Sequence, residues 1–475
     1  MRLGALLGSD NATEVTGFAI DHRKVAPGTV FGAFKGARFN GEDFIDAAVK
    51  AGAVAVVSCH GPDAGAAVHL TSDEPRREFA LLAAKYFAPF PGTTVAVTGT
   101  NGKTSTVELT RQLWRMAGHH AASIGTLGVT TGDERVVTGL TTPDIVTFLS
   151  NMAGLRREGV THAAFEASSH GLDQYRTEGL PVAAAAFTNL SRDHLDYHGD
   201  MAAYFTAKLR LFSEVVDADG TVVIWQDDEA SDRVIDLARE RGLKLVGVGT
   251  RGGTLRLLSR EPTQLGQKLV VLHEGVEHQI NLPLIGAYQA ANALVAAGLV
   301  IATGGNVATT LDNLGRLQGV RGRLERAVIT RTGAPVYVDY AHTPDALAAA
   351  ISALKPHAVG RLILVMGAGG DRDAGKRPEM GLIAEVMADR VIVTDDNPRG
   401  EDPAVIRAAI MSKAPEATEI EDRRAAIAAA IGEAAAGDIV LIAGKGHETG
   451  QTVGAADDER VLPFDDVQVA RECAA

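Results

Sequence analysis

The stretch Val95-Ala96-Val97-Thr98-Gly99-Thr100-Asn101-Gly102-Lys103-Thr104-Ser105 constrains this chain more than any other. A short apolar run passes into a glycine turn, and the turn opens TVELTRQLWRMAG, which has helical spacing. A buried strand followed at once by a helix belongs to an α/β layer architecture. Gly99 and Gly102 let backbone N–H groups approach a polyphosphate, and the helix N-terminus adds partial positive charge. Lys103 can reach the β- and γ-phosphates of ATP, and the Thr104 hydroxyl can bind Mg²⁺. Gly99, Thr100, Asn101, Gly102, Lys103, Thr104 and Ser105 are therefore candidate ATP-binding residues. The usual pattern has a further glycine where Val97 stands, so this is a variant phosphate loop. A Gly-rich turn followed by a chance Lys-Thr is the bland alternative, and the flanking strand and helix speak against it.

The same alternation runs along the chain. With 475 residues the chain is too long for one core, and about three domains are expected. Residues 1–90 read as a small α/β unit, with VFGAFKG (30–36) and VAVVS (54–58) as strands and DFIDAAVKAGA (43–53) as a helix. FAPFPG (87–92) reads as a linker. Residues 91–320 carry short strands at THAAFEA (161–167), VAAAAFTNL (182–190) and TVVIW (221–225). QKLVVLHEG and EHQINLPL (267–284) look like an antiparallel pair, and AYQAANALVAAGLVIATGG (287–305) like an apolar helix. Beyond GVRGRLE (319–325), residues 321–475 repeat the pattern in PVYVDYA, RLILVMGAG, RVIVTDD and DIVLIAGKG. The fold expected is α/β with mostly parallel sheets covered on both faces, the last domain Rossmann-like. Function in such sheets gathers at the carboxyl ends of strands.

The formal net charge of −13 argues against a nucleic-acid partner. Cys59 and Cys473 lie far apart and outside any CxxC motif, which predicts two reduced thiols and a cytoplasmic protein. No signal peptide or membrane span is expected, and the chain is expected to be a monomer.

Two further strand ends are rich in ligating side chains. Glu166 opens EASSHGLDQYR, and His194 lies in NLSRDHLDYHG. Beside bound ATP, Glu166 and His194 are plausible Mg²⁺ ligands, because such sites take one or two carboxylates together with phosphates. Lys208, in MAAYFTAKLRLF, would on spacing alone be a solvated helix lysine.

TGTNGKTS, followed by these segments, resembles the Mur ligase family, which also includes folylpolyglutamate synthase. The resemblance covers nearly the whole chain and is greatest to the members that add diaminopimelate. It implies an ATP-dependent ligase that joins meso-2,6-diaminopimelate to UDP-N-acetylmuramoyl-L-alanyl-D-glutamate through an acyl-phosphate, in peptidoglycan synthesis. It implies catalytic roles for Lys103, Glu166, His194 and Lys208. Metal ligation would come from Thr104, Glu166, His194 and a CO₂-derived carbamate on Lys208. A crowded lysine with a lowered pKa presents the free amine that carbamate formation needs. The muramoyl-dipeptide would be held by Thr141, Thr142, Ser168, Gln174 and Arg176, with His22 at the uridine end. Leu140 and His22 depart from the family, where Asn and Ser are common. Asn292, Arg323 and Asp339 (with His342) resemble residues around ATP.

The resemblance also assigns the amino-acid substrate to Arg372, Asp396, Asn397, Pro398, Arg399, Gly444 and Glu448, in GGDRDAGKRP, DDNPR and GKGHE. The chemistry suits a ligand with a second amino-acid end. Arg399 can clamp a distal carboxylate through two parallel hydrogen bonds. Asp396, Asn397 and Glu448 can accept from the distal ammonium. A lysine substrate would leave Arg399 nothing to pair with. The third domain would swing onto the central one to bring the amine into reach. The alternatives are a lysine-adding relative and a nucleotide-binding relative without catalysis.

Overall fold

A computed structural model describes residues 1–36, 39–61, 63–132, 134–136, 139–263, 265–455 and 458–475. The chain divides into two compact units. One comprises Met1–Arg256 and Asn292–Thr310, the other Leu257–Ala291 and Leu311–Ala475.

The first unit holds two sheets. Strands β1 (Gly17–Ala19), β2 (Thr29–Ala33), β3 (Ala53–Ser58) and β4 (Val68–Thr71) form a four-stranded parallel sheet in that order. Of the helix expected at 43–53, only Ile45–Lys50 is α-helical; Gly41–Phe44 is a 3₁₀ turn in which the Asn40 side chain accepts from Glu42 N–H. The second sheet contains β5 (Thr93–Thr98), β6 (Ala121–Gly125), β7 (Gly128–Thr131), β8 (Glu134–Val136), β9 (His162–Glu166), β10 (Ala184–Phe187), β11 (Thr221–Trp225) and β12 (Lys244–Gly249). Their spatial order is β12-β11-β10-β5-β9-β6-β7-β8, and the start of β13 (Leu255–Thr263) lies parallel to β12. All pairs from β12 to β6 are parallel; β6-β7 and β7-β8 are antiparallel. This edge pair was not legible in the sequence, because the exposed ERV of β8 has no apolar alternation.

β5 lies between β9 and β10, and its Val95, Ala96 and Val97 are fully buried. A parallel strand covered on both faces must be apolar throughout, which is why VAV precedes the glycine turn. Register sets the level of the strand ends. Val97 pairs with Glu166 and Thr98 with Phe187, so three of the motifs read from sequence emerge along one edge.

In the second unit, β14 (Gly266–His273) and β15 (Val276–Leu282) form the expected antiparallel pair. β16 (Glu325–Ile329), β17 (Pro335–Asp339), β18 (Leu362–Met366), β19 (Arg390–Val393), β20 (Thr418–Glu419) and β21 (Ile439–Ala443) form a sheet ordered β16-β17-β21-β18-β19-β20. It is parallel except for the edge strand β16. A β22–β23 hairpin (Gly450–Val453, Arg460–Pro463) follows. β18 shows why this sheet takes helices on both faces. Leu362, Leu364 and Met366 enter one apolar layer, while Ile363 and Val365 enter the other. Each such burial contributes about 1.5–3 kcal/mol, and truncating fully buried Leu364 to Ala is expected to cost about 2–5 kcal/mol. Among the described residues no helix is long and apolar enough to cross a membrane.

Candidate active site

The phosphate loop is held by backbone. Gly99 (φ 145°) lies so close to the Thr188 hydroxyl that a Cβ would collide with it. Gly102 (φ 87°), at the start of the helix Lys103–Met116, would collide in the same way with the Asn292 carboxamide. Asn292 therefore stands against the loop. The segment after β10 fixes the rest: Thr100 N–H donates to Asn189 O (2.9 Å), Asn101 N–H to Asn189 Oδ1 (2.9 Å), and Ser191 N–H to Thr100 Oγ1 (2.9 Å). Thr104 and Ser105 are buried at the helix start.

Two lysines converge on one carbonyl. Lys103 Nζ donates to Gly99 O (2.9 Å) and Thr100 O (2.7 Å), and Lys208 Nζ donates to Gly99 O (2.7 Å). Lys208 is 1% exposed and stands 4.4 Å above the Tyr204 ring. Burial pushes its pKa well below the lysine range, and the Lys103 charge adds to this against the Asp193 carboxylate. The solvated helix lysine that spacing alone suggested is thus a buried amine. Glu166 is buried and accepts from Thr126 N–H (2.7 Å) and Thr126 Oγ1–H (3.3 Å). His194 is exposed, in a left-handed conformation (φ 53°), with Nε2 3.5 Å from the Asp193 carboxylate and its ring 6.1 Å from Tyr204. Among the described residues no three His, Cys, Asp or Glu side chains gather into a metal cluster. The Glu166 carboxylate and the Thr104 hydroxyl suit a Mg²⁺ site completed by phosphate oxygens, to which Lys208 could contribute only as an oxygen-bearing carbamate and not as the amine.

Beside Glu166, Thr142 Oγ1 donates to Glu166 O (2.8 Å) and accepts from Ser168 N–H (3.1 Å). The Thr141 and Thr126 hydroxyls are 3.0 Å apart. Ser168 caps the short helix Ser169–Asp173. Arg176 donates to Thr142 O (2.8 Å) and to Gln174 Oε1 (2.8 Å). Gln174 and Arg176 line an open cleft with Ile20, Phe34, Arg76, Asp144 and Ile145. The Asp144 carboxylate caps the helix Ile145–Arg157, and Arg76 donates to Lys35 O (3.0 Å). Burial lowers the pKa of both arginines. No motif in the sequence marked Arg76, which stands in the first turn of an ordinary helix, Pro75–Phe87. His22 stacks on Phe44 at 4.3 Å, while Arg23 holds the neighbouring Asp21 carboxyl down at about 2. Leu140 is exposed.

In the second unit, Asp339 ends β17. Its carboxylate accepts from Leu324 N–H (2.7 Å), and burial raises its pKa to about 6. The Arg323 guanidinium lies 4.7 Å over the Tyr340 ring, and His342 Nδ1 is 2.8 Å from Tyr340 O.

Past β19 and β21 lies a compact charge cluster. Gly444 (φ 117°) leaves room for Asp396 Oδ2, which is buried and has no hydrogen-bond partner among the described residues. An orphaned buried carboxylate oxygen is costly, and its presence points to a cationic ligand. Arg423 pairs with Asp466 (2.7 Å) and is 3.9 Å from Asp396. Glu448 accepts from Lys445 Nζ (3.1 Å). Arg399 (φ 51°) donates to Gly370 O (2.9 Å), and the Pro398 carbonyl lies against Gly370. Arg372 is exposed and donates to Asp371 O (3.0 Å). One expectation is corrected. Asn397 Oδ1 is not open to a ligand's ammonium in this structure, because it already accepts from the Lys445 ammonium (2.8 Å) and Thr452 N–H (2.9 Å).

The chain matches the Mur ligase middle domain over residues 97–300, the Mur ligase glutamate ligase domain over 322–446, and the Mur ligase family catalytic domain over 14–83. It is 59% identical over 458 residues to the UDP-N-acetylmuramoyl-L-alanyl-D-glutamate--2,6-diaminopimelate ligase of Zymomonas mobilis subsp. mobilis, covering 96% of this chain and 94% of that one. It is 53% identical over 477 residues to the protein of the same name in Bradyrhizobium diazoefficiens, covering 98% and 97%. A solved structure of a ligase of that name superposes with a TM-score of 0.75 at 32% identity, covering 100% of this chain and 98% of that one. On phosphate loop, fold and relatives together, this chain belongs to the Mur ligase family.

Proposed function

We propose that this chain joins meso-2,6-diaminopimelate to UDP-N-acetylmuramoyl-L-alanyl-D-glutamate at the cost of ATP, a step of peptidoglycan synthesis. The observation that carries the reading is the segment after β19, where Asp396 Oδ2 is buried without a hydrogen bond among the described residues and Arg399, three residues on, donates to Gly370 O. An arginine and a carboxylate oxygen without a hydrogen bond, on one segment, fit the carboxylate and ammonium of a zwitterionic far end. The relatives at 50–59% identity bear names that specify this reaction.

The roles assigned in this reading are these. Residues 1–90 take the uridine end, with His22. Thr141, Thr142, Ser168, Gln174 and Arg176, with Arg76, hold the muramoyl-dipeptide. Residues 91–320 bind ATP through Gly99–Ser105 and Asn292. Residues 321–475 supply Arg323 and Asp339 to the nucleotide. The same domain holds diaminopimelate by Arg372, Asp396, Asn397, Pro398, Arg399, Gly444 and Glu448. Lys103 releases the loop carbonyls and neutralises charge on the transferring phosphoryl group. Thr104, Glu166, His194 and a carbamate on Lys208 would hold Mg²⁺, which supplies charge neutralisation to the phosphates when bound. The D-glutamyl carboxylate takes the γ-phosphoryl group to give an acyl-phosphate, and the diaminopimelate amine displaces phosphate to leave an amide. The lowered pKa of Lys208 favours the free amine that carbamate formation requires.

The test is phosphate release with ATP, Mg²⁺, the UDP-dipeptide and diaminopimelate. Release that needs every component, with a product heavier by one diaminopimelate residue, is the expected result. Release that ignores the dipeptide or the amino acid would refute the reading.

A further inference from the structure

The charge cluster contains a lysine to which the site above gives no role. Lys445, after β21, is 0% exposed, yet its neighbours Asn397 and Glu448 are the groups that meet the substrate in the proposed function. Three hydrogen bonds close a triangle. Lys445 Nζ donates to Asn397 Oδ1 (2.8 Å) and to Glu448 Oε2 (3.1 Å), and Asn397 Nδ2 donates to the same Glu448 oxygen (2.8 Å). Thr452 N–H adds a fourth bond to Asn397 Oδ1 (2.9 Å).

This arrangement fixes the polarity of an amide. A carboxamide can turn over, exchanging its donor and acceptor ends, wherever its surroundings are indifferent. Around Asn397 they are not. An ammonium and a backbone N–H, both donors, meet one end, and a carboxylate, an acceptor, meets the other. Turning the amide would set donor against donor twice and oxygen against oxygen once. Asn397 can therefore offer a ligand only an N–H, which suits a carboxylate. The acceptors left for an ammonium are Asp396 Oδ2 and the free capacity of Glu448. Donors and acceptors at the site are thereby sorted between the two ends of the ligand.

We infer that Lys445 is a positioning residue that determines specificity: it locks the Asn397 amide and the Glu448 carboxylate so that the site selects an amino acid whose far end carries both a carboxylate and an ammonium. The inference rests on the proposed function and deepens it. Lys445 touches no substrate itself; without it Glu448 loses its anchor, and the Asn397 amide keeps only Thr452 N–H and a loosened Glu448 to set its sense. Glu448 is 30% exposed, so water can take up its charge when the lysine is removed.

The test compares Lys445→Met and Lys445→Gln with the unaltered chain, using meso-diaminopimelate and L-lysine as acceptors with saturating ATP and UDP-dipeptide. Lys445→Met is expected to raise KM for diaminopimelate about 30-fold, the scale of a lost charge-assisted hydrogen bond. It should reduce the preference for diaminopimelate over lysine by about tenfold or more, with KM for ATP and the dipeptide held within about threefold. Lys445→Gln retains a neutral donor for Asn397 and is expected to fall between the two. It also serves as the second variant should Lys445→Met not fold. A uniform loss of kcat with the preference unchanged, in whichever variant folds, would show a merely structural role and overturn the inference. The unaltered chain keeps the two proposals apart, because absence of any preference there counts against the proposed function rather than against Lys445.

Discussion

The phosphate loop and the charge cluster after β19 are both strand-end sites, and they are built in opposite ways. The loop is made from backbone. Gly99 and Gly102 permit its path, the segment Asn189–Ser191 holds it, and its lysines rest on a carbonyl. The cluster is made from side chains that arrive from separate elements and pair with one another, leaving Asp396 Oδ2 without a hydrogen bond among the described residues. A backbone cradle recognises what all nucleoside triphosphates share. A cluster with fixed donor and acceptor positions can separate one amino acid from another, because a polar group left unpaired in the wrong complex costs more than a lost apolar contact.

That contrast can be broken at several points. The largest effect belongs to the loop. Lys103→Ala is expected to lower kcat by about 10³-fold or more, since charge stabilisation dominates phosphoryl transfer. Steady-state phosphate release should show it with KM for diaminopimelate nearly unchanged. Arg399→Ala is the reciprocal experiment. A charge-assisted, forked contact carries about 2–3 kcal/mol, so kcat/KM for diaminopimelate should fall about 30- to 200-fold. KM for ATP should stay within about twofold, and a rise in KM for ATP as large as that in KM for diaminopimelate would contradict the separation of roles. A third effect belongs to Lys208. Preparation free of CO₂ should lower activity about tenfold, with recovery on adding bicarbonate, because the carbamate forms on a free amine. Equal activity with and without bicarbonate would remove the carbamate from the account.

The smallest effect is on stability. Burial raises Asp339 to about 6, so between the unfolded value near 3.8 and about 6 the native state binds the extra proton. Its burial penalty is absent at pH 3.8 and below, grows as pH rises, and is complete above about 6. Asp339→Asn should therefore stabilise the chain by about 1–3 kcal/mol at pH 8, with the gain vanishing near pH 4. Denaturant melts at both values measure it, and an equal shift at both would show that charge is not the cause.

The contrast also explains what could be read from sequence. Backbone sites leave local signatures, so GTNGKTS was legible from its spacing, and its strand and helix were placed correctly. Strand interiors such as LILVM were legible from their apolar runs. Lys208 was not, because a lysine in MAAYFTAKLR carries no mark of its burial; the register that brings it to Gly99 O is set by tertiary packing. Arg76 was missed for the same reason. The polarity of Asn397 was misread because it depends on Lys445 and Thr452, which lie 48 and 55 residues away along the chain. A motif names the side chains present at a site, while their donor and acceptor sense is set by partners from other strands.

The most direct measurement is kcat/KM of the unaltered chain for meso-diaminopimelate and for L-lysine, at saturating ATP and UDP-dipeptide. A preference for diaminopimelate of about 10²-fold or more is expected, the scale reached when a substrate lacks the group that a buried polar site is built to bind. Equal values, or a preference for lysine, would contradict the claim that the cluster around Asp396, Asn397 and Arg399 reads the far end of the amino acid.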